Sequence, residues 1–225
     1  VFNEGRINII AHAGCMGTKM DSIESIEVGI KYGADIIEID LNLDDNNNLV
    51  LCHDKPKEGN QYIRIEEVLT IVNKKQHVFL NIDIKDVQCL NQLNRIILDY
   101  GAKDKVFYTG LTFTNVIENK EKLVGSKYFL NLDAQKWDIT KLNNKEYLVE
   151  LFNEFDTLNI MGINVNYKNV TPELISVCKE NRLLCSIWTV DEIEVMKRMI
   201  DLKVNSITTK KIDLLKSLVE LALKV

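Results

Sequence analysis

Proline occurs only twice, at Pro56 and Pro172, and no glycine-, proline- or serine-rich stretch interrupts the chain. Without a linker or a break in composition, residues 1–225 are expected to form one domain. Long apolar runs are also missing. None approaches the roughly eighteen residues that a bilayer-spanning helix needs, so stable membrane insertion is not expected. The opening Val1-Phe2-Asn3-Glu4-Gly5-Arg6 has no basic stretch followed by an apolar core, so no signal peptide is visible. A start at Val rather than Met leaves a removed leader open. Excess positive charge is absent: 28 Lys and Arg stand against 33 Asp and Glu, net −5, with the signs interspersed. That lacks the basic stripe a phosphate backbone requires, so nucleic acid is not an expected partner. Five cysteines, at 15, 52, 89, 178 and 185, are odd in number and form no Cys-x-x-Cys pair. They argue against a disulfide framework and a zinc site, and for buried thiols in a cytoplasmic setting. Nothing in the sequence reports on oligomeric state.

What the chain does contain is an alternation. Short β-branched runs at 7–11, 36–41, 78–84, 106–109, 128–132, 160–165, 184–190 and 205–208 are separated by longer stretches. Helix-period patterns fill 22–32, 65–73, 90–100, 172–180, 192–202 and 212–223. Eight strands alternating with helices predict a (β/α)₈ TIM barrel. An open doubly wound sheet would use the same elements, but no Gly-x-Gly-x-x-Gly follows any strand. The amphipathic stretch 212–221 suits packing as the last barrel helix better than lying on a membrane. One segment breaks the alternation. Leu49-Val50-Leu51-Cys52 follows the second run after only Asp44-Asp45-Asn46-Asn47-Asn48, whereas a parallel crossover needs roughly a dozen residues. The Asp/Asn turn therefore predicts a short hairpin on the rim, with His53 at its tip beside the barrel mouth.

Catalytic groups of such barrels stand at the C-terminal ends of strands. His12 directly follows Ile9-Ile10-Ala11. In Ile36-Ile37-Glu38-Ile39-Asp40 the two acids are two residues apart, so both face the lumen while Ile37 and Ile39 face the helices. Asp83 and Lys85 share a face in the same way. Three carboxylates converging on one end would repel one another, and a hard divalent cation with oxygen ligands is the simplest remedy. Neighbouring lysines or arginines, or solvation at the strand ends, would be a blander one. Of three histidines, His12 and His53 fall at the mouth, where imidazoles suit proton transfer. His77 precedes a strand and is expected on the opposite, outer surface.

The order His12-Ala13-Gly14, Gly33-Ala34-Asp35-Ile36-Ile37-Glu38-Ile39-Asp40, His53-Asp54 and Asp83-Ile84-Lys85 resembles the glycerophosphodiester phosphodiesterases. Ile187-Trp188-Thr189-Val190-Asp191 and Val204-Asn205-Ser206-Ile207-Thr208-Thr209 extend the likeness over nearly the whole chain. The resemblance implies a TIM barrel that hydrolyses glycerophosphodiesters to an alcohol and glycerol 3-phosphate with one divalent cation, Mg²⁺ or Ca²⁺. It implies metal positions at Glu38, Asp40 and Asp83, and acid–base positions at His12 and His53. It further implies a phosphate-facing Lys85 and a pocket-lining Trp188, although a core role for Trp188 is equally compatible with the pattern.

Departures from the family pattern shape the expectations. Ala13 stands where an arginine is usual, which removes a bidentate phosphate contact. Lys19-Met20-Asp21-Ser22 replaces the usual Pro-Glu-Asn-Thr/Ser, and Asp21-Ser22-Ile23-Glu24 reads as a capping box for the first helix. Asp83 is one methylene shorter than the usual glutamate, and Thr209-Lys210-Lys211-Ile212 alters the last rim segment. Only residues 55–62 separate His53-Asp54 from the second helix, a reduced insertion that should open the mouth to bulkier diesters, lysophospholipids included. A phospholipase D-like phosphotransferase that forms a cyclic phosphate, also resembled through Asp83, and a non-catalytic phosphoglycerol-binding barrel remain as alternatives.

Overall fold

In the computed structural model, which describes residues 2, 6–132, 134 and 136–223, nine strands form one sheet that closes on itself. Eight run parallel: β1 (Asn8–Ala11), β2 (Ile36–Leu43), β4 (Phe79–Ile84), β5 (Val106–Leu111), β6 (Tyr128–Asn131), β7 (Gly162–Asn166), β8 (Leu184–Trp188) and β9 (Ser206–Thr209). Parallel pairings of β1 with both β2 and β9 seal the barrel. The remaining strand, β3 (Leu49–Leu51), pairs antiparallel with the end of β2, as the short connection required. Its turn is built by Asp44, whose Oδ1 accepts the backbone N–H groups of Asn46 and Asn48, with Asn47 in a left-handed conformation at φ 59°. Residues 1, 3–5, 133, 135 and 224–225 lie outside the described residues.

The helices α1 (Ile23–Tyr32), α2 (Ile65–Asn73), α3 (Leu90–Asp99), α6 (Pro172–Glu180), α7 (Ile193–Asp201) and α8 (Ile212–Ala222) match the expected stretches. Two more, α4 (Phe113–Glu118) and α5 (Lys145–Asn153), complete the outer layer. Start signals are local: Thr171 Oγ1 accepts the Leu174 N–H, and Pro172 enters at the first turn, where its missing N–H costs nothing. One cap differs from expectation. Ser22, not Asp21, is the N-cap of α1, accepting from Ser25 N, so Asp21 and Glu24 form no box. The apolar face of α8 buries Ile212, Leu215 and Val219, and among the described residues no helix is long and apolar enough to cross a membrane.

Apolar side chains divide into two compartments. Outward-facing Ile37, Ile39, Leu80 and Ile82 pack against helix residues such as Ile26, Leu69 and Leu215. Inside the barrel, Ile10, Ile36, Phe107 and Phe129 form a separate cluster, joined by Phe2 and Phe79. The Phe2, Phe107 and Phe129 rings lie 5.4–5.5 Å apart in tilted and edge contacts, and so plug the N-terminal end of the strands. Where β7 meets β8, only glycine fits: a Cβ on Gly162 would lie 2.0 Å from the Leu184 carbonyl oxygen. Four cysteines are buried, Cys52 is half-buried, and all five are free.

Candidate active site at the barrel mouth

Strand alternation continues the lumen side of the aromatic plug upward as polar residues. Glu38 pairs in register with Asn81, and Asp40 with Asp83, on the adjacent strands β2 and β4. Like charges directly opposite on neighbouring strands are unfavourable, so this register concentrates repulsion in one place. One oxygen each from Glu38, Asp40 and Asp83 lies within 4.8 Å of the others. Asp40 is 1% exposed, and its Oδ2 is buried with no hydrogen-bond partner among the described residues.

Lys85 offsets part of this charge. Its ammonium lies 2.9 Å from Asp40 Oδ1 and 2.5 Å from Asp83 Oδ2. Burial disfavours that ammonium, but the two carboxylates outweigh burial and hold its pKa well above the usual lysine range. One ammonium cannot balance three carboxylates. Glu38 carries the remainder: burial first, then the charges of Asp83 and Asp40, raise its pKa well above normal, against the opposing effects of Lys85 and a Thr208 hydrogen bond. The blander reading, acids satisfied by a lysine, therefore accounts for only part of the cluster. Converging carboxylate oxygens, one of them unpartnered, are a donor set that fits a hard divalent cation.

The third acid is held firmly. Thr109 Oγ1 lies 2.9 Å from Asp83 Oδ1 and 3.0 Å from Asn81 Oδ1. The residue directly after Asp83's register partner Thr109, Gly110, has φ 79°, and a Cβ there would meet Ile84 O at 2.5 Å and Asp83 Oδ1 at 2.7 Å. A glycine is needed at this point for Asp83 to keep its place.

Two imidazoles flank the acids. Ala11 pairs with Ile37, so His12 leaves β1 beside Glu38, and its N–H donates to Thr209 O. His12 Nδ1 is 2.8 Å from the Ala13 carbonyl, which only accepts, so Nδ1 carries the proton and Nε2 is left free. His53 follows Cys52, whose N–H donates to the Asp40 carbonyl. His53 Nδ1 is 2.9 Å from Asp54 Oδ1, again leaving Nε2 free. The His53 side chain is 56% exposed, so it stands at the rim as the hairpin required. Trp188 ends β8, half-buried, with its Nε1 buried and without a hydrogen-bond partner among the described residues. His77 is exposed on the far side.

Sequence reading missed Thr109, Thr208 and Asn42, whose Nδ2 donates to Asp54 O, because their roles lie in cross-strand contacts. It also misassigned Asp21. Instead of capping α1, Asp21 Oδ2 accepts the His53 N–H at 3.3 Å. Burial, then the Asp40 charge, raises its pKa, against the opposing influence of His53 and Lys85.

A closed parallel barrel with its acids and imidazoles at the C-terminal strand ends defines a TIM-barrel enzyme. The glycerophosphoryl diester phosphodiesterase family model matches residues 57–214. The chain belongs to that family and is a phosphoric diester hydrolase. The match contains Asp83, Lys85 and Trp188 and begins after His53. A glycerophosphodiester phosphodiesterase of Caldanaerobacter subterraneus subsp. tengcongensis is 24% identical, covering 89% of this chain and 93% of that protein. A glycerophosphodiester phosphodiesterase structure from Parabacteroides distasonis superposes with a TM-score of 0.72 at 20% identity, covering 98% of this chain and 99% of that one. An Oleispira antarctica phosphodiesterase in complex with the product sn-glycerol-3-phosphate gives a TM-score of 0.76 at 12% identity, with 96% and 97% covered.

Proposed function

We propose that this enzyme hydrolyses glycerophosphodiesters to an alcohol and glycerol 3-phosphate with the help of one divalent cation, Mg²⁺ or Ca²⁺. The observation that carries this is the convergence of Glu38, Asp40 and Asp83 within 4.8 Å, beside two imidazoles. Those three carboxylates would hold the cation. When bound, it supplies positive charge to the phosphoryl group as charge develops there.

The remaining chemistry belongs to the chain. His12 and His53 each have Nδ1 committed to an acceptor, at Ala13 O and Asp54 Oδ1. Each Nε2 is then available: one, unprotonated, takes the proton of the nucleophile, a water or a substrate hydroxyl, and the other, on an imidazolium ring, gives its Nε2 proton to the leaving alkoxide. Lys85 contributes a point charge to the phosphate. Its share of the grip is larger here because Ala13 offers no guanidinium. Trp188, half-buried at the end of β8, would present its ring to the substrate. The short segment between His53 and α2 leaves room for lysophospholipid head groups.

The test is ³¹P NMR of glycerophosphocholine turnover with and without EDTA, for wild type, His12→Ala and His53→Ala. Wild type with cation should form a monoester, and each variant should lose about 10²-fold or more in kcat. A lasting cyclic phosphate would move the assignment to a phosphotransferase. Equal activity in all three proteins would end the acid–base scheme.

A further inference from the structure

We infer that Asp21 is a positioning residue for this reaction, tethering the backbone of His53 to the first loop of the barrel mouth. The inference rests on the acid–base reading of His53 above.

His53 needs such a tether. Its ring is more than half exposed and leans on Asp54, itself 91% exposed, so ring contacts give it little definition. An acid–base group that drifts by an ångström loses much of its effect. Segment 52–54 is fixed through its main chain instead. The Cys52 N–H donates to Asp40 O, and Asp54 O accepts from Asn42 Nδ2, both of which attach it to β2. The third bond, from His53 N–H to Asp21 Oδ2, reaches a different element 32 residues away in sequence.

The loop that presents Asp21 is built to hold it. Gly14, Met16, Gly17 and Asp21 have φ of 78°, 54°, 80° and 53°, and non-glycine residues enter that region only when their surroundings enforce it. Those surroundings are visible. Gly14 N–H donates to Ser25 Oγ, Met16 N–H to Lys210 O, and Thr18 Oγ1 to Cys15 O, at 2.7–2.9 Å. Ser22 takes over the capping of α1, which frees the Asp21 carboxylate to reach the neighbouring segment at His53. Its second oxygen, Oδ1, is buried without a hydrogen-bond partner among the described residues. A half-buried carboxylate in a left-handed backbone, with its one hydrogen bond among the described residues made to His53, is placed for that contact and not for its own loop.

The test compares Asp21→Gly, Asp21→Asn and His53→Ala with wild type under saturating cation. Glycine accepts φ 53° without strain but has no acceptor, while asparagine tolerates the same φ and keeps an amide oxygen. D21G should lower kcat about tenfold, a fraction of the full acid–base contribution, with KM within about twofold. D21N should recover most of that loss. The His53 amide ¹H–¹⁵N resonance should move in D21G more than in D21N. Mg²⁺ and Ca²⁺ affinities measured by calorimetry should stay within about threefold in both. If D21G does not fold, Asp21→Ser, whose hydroxyl is too short to reach the His53 N–H, takes its place. Wild-type kcat in D21G, equal loss in D21N and D21G, or a tenfold weaker cation affinity in D21G would each overturn the tether. If H53A itself stays active, the role of His53 fails. An inactive H53A beside a normal D21G sinks the tether alone.

Discussion

Replacing Lys85 by methionine separates the two cations that the carboxylate cluster can use, its own ammonium and an added metal ion. Methionine keeps the stem length and removes the charge. Lys85 contacts Asp40 and Asp83 at 2.9 and 2.5 Å, with the Asp40 side chain 2% exposed. Removing one partner of a buried pair costs about 3–5 kcal/mol. The Lys85 side chain is one-fifth exposed, so solvent relieves some of this, and ~3 kcal/mol is the appropriate figure. In a chain of this size each kcal/mol moves Tm by about 2–4 °C, so K85M should melt ~6–12 °C below wild type in EDTA. A divalent cation at a hundred times its Kd adds about 2.7 kcal/mol to any protein that binds it only when folded. In K85M the cation meets no resident ammonium, so its affinity and its stabilisation should both exceed those of wild type. The Tm deficit should shrink by half or more with saturating Mg²⁺ or Ca²⁺, while activity stays low. Thermal melts of both proteins, with EDTA and across a cation titration, measure this directly. A deficit of the same size in both conditions would show that Lys85 and the cation do not share a site, and no deficit in EDTA would refute the ion-pair estimate.

The glycine beside Asp83 and the desolvated Glu38 give two further expectations. Gly110→Ala places a methyl group 2.5 Å from Ile84 O at φ 79°; left-handed strain of about 1–2 kcal/mol plus overpacking of about 1–3 kcal/mol should lower stability by roughly 2–5 kcal/mol. Urea melts check the magnitude, and a cation affinity unchanged in the folded variant would contradict the link to Asp83. Glu38 has a folded pKa raised above its unfolded value, so its protonated form favours folding, and this contribution is lost as pH rises through the folded pKa. Cation-free protein should therefore melt higher in mildly acid than in neutral buffer, and Glu38→Gln should flatten that slope; an unchanged slope in E38Q places the effect elsewhere.

The alternation of strands and helices was legible because each barrel strand is buried on both faces and reads as a dense apolar run. The hairpin was legible through chain length, since five residues cannot carry a parallel crossover. Helices α4 and α5 escaped notice for local reasons. The first is only six residues long, with a Thr112–Asn115 cap in place of a Ser/Thr–Glu box. The second buries Leu148, Leu151 and Phe152 at helical spacing, but a polar stretch precedes it. At the site, period-two spacing put Glu38 with Asp40 and Asp83 with Lys85. It could not pair Asp40 with Asp83, because register between β2 and β4 depends on packing across the sheet. Asp21 was misjudged for a related reason: capping is a local signal, and the competing partner, the His53 amide, lies 32 residues on.

The ring cluster of Phe2, Phe107 and Phe129 fills the barrel opposite the carboxylates, so the interior is a packed floor, not a passage. Reactant and both products share one doorway, and neither product can depart through the floor. Turnover then depends on traffic at the rim.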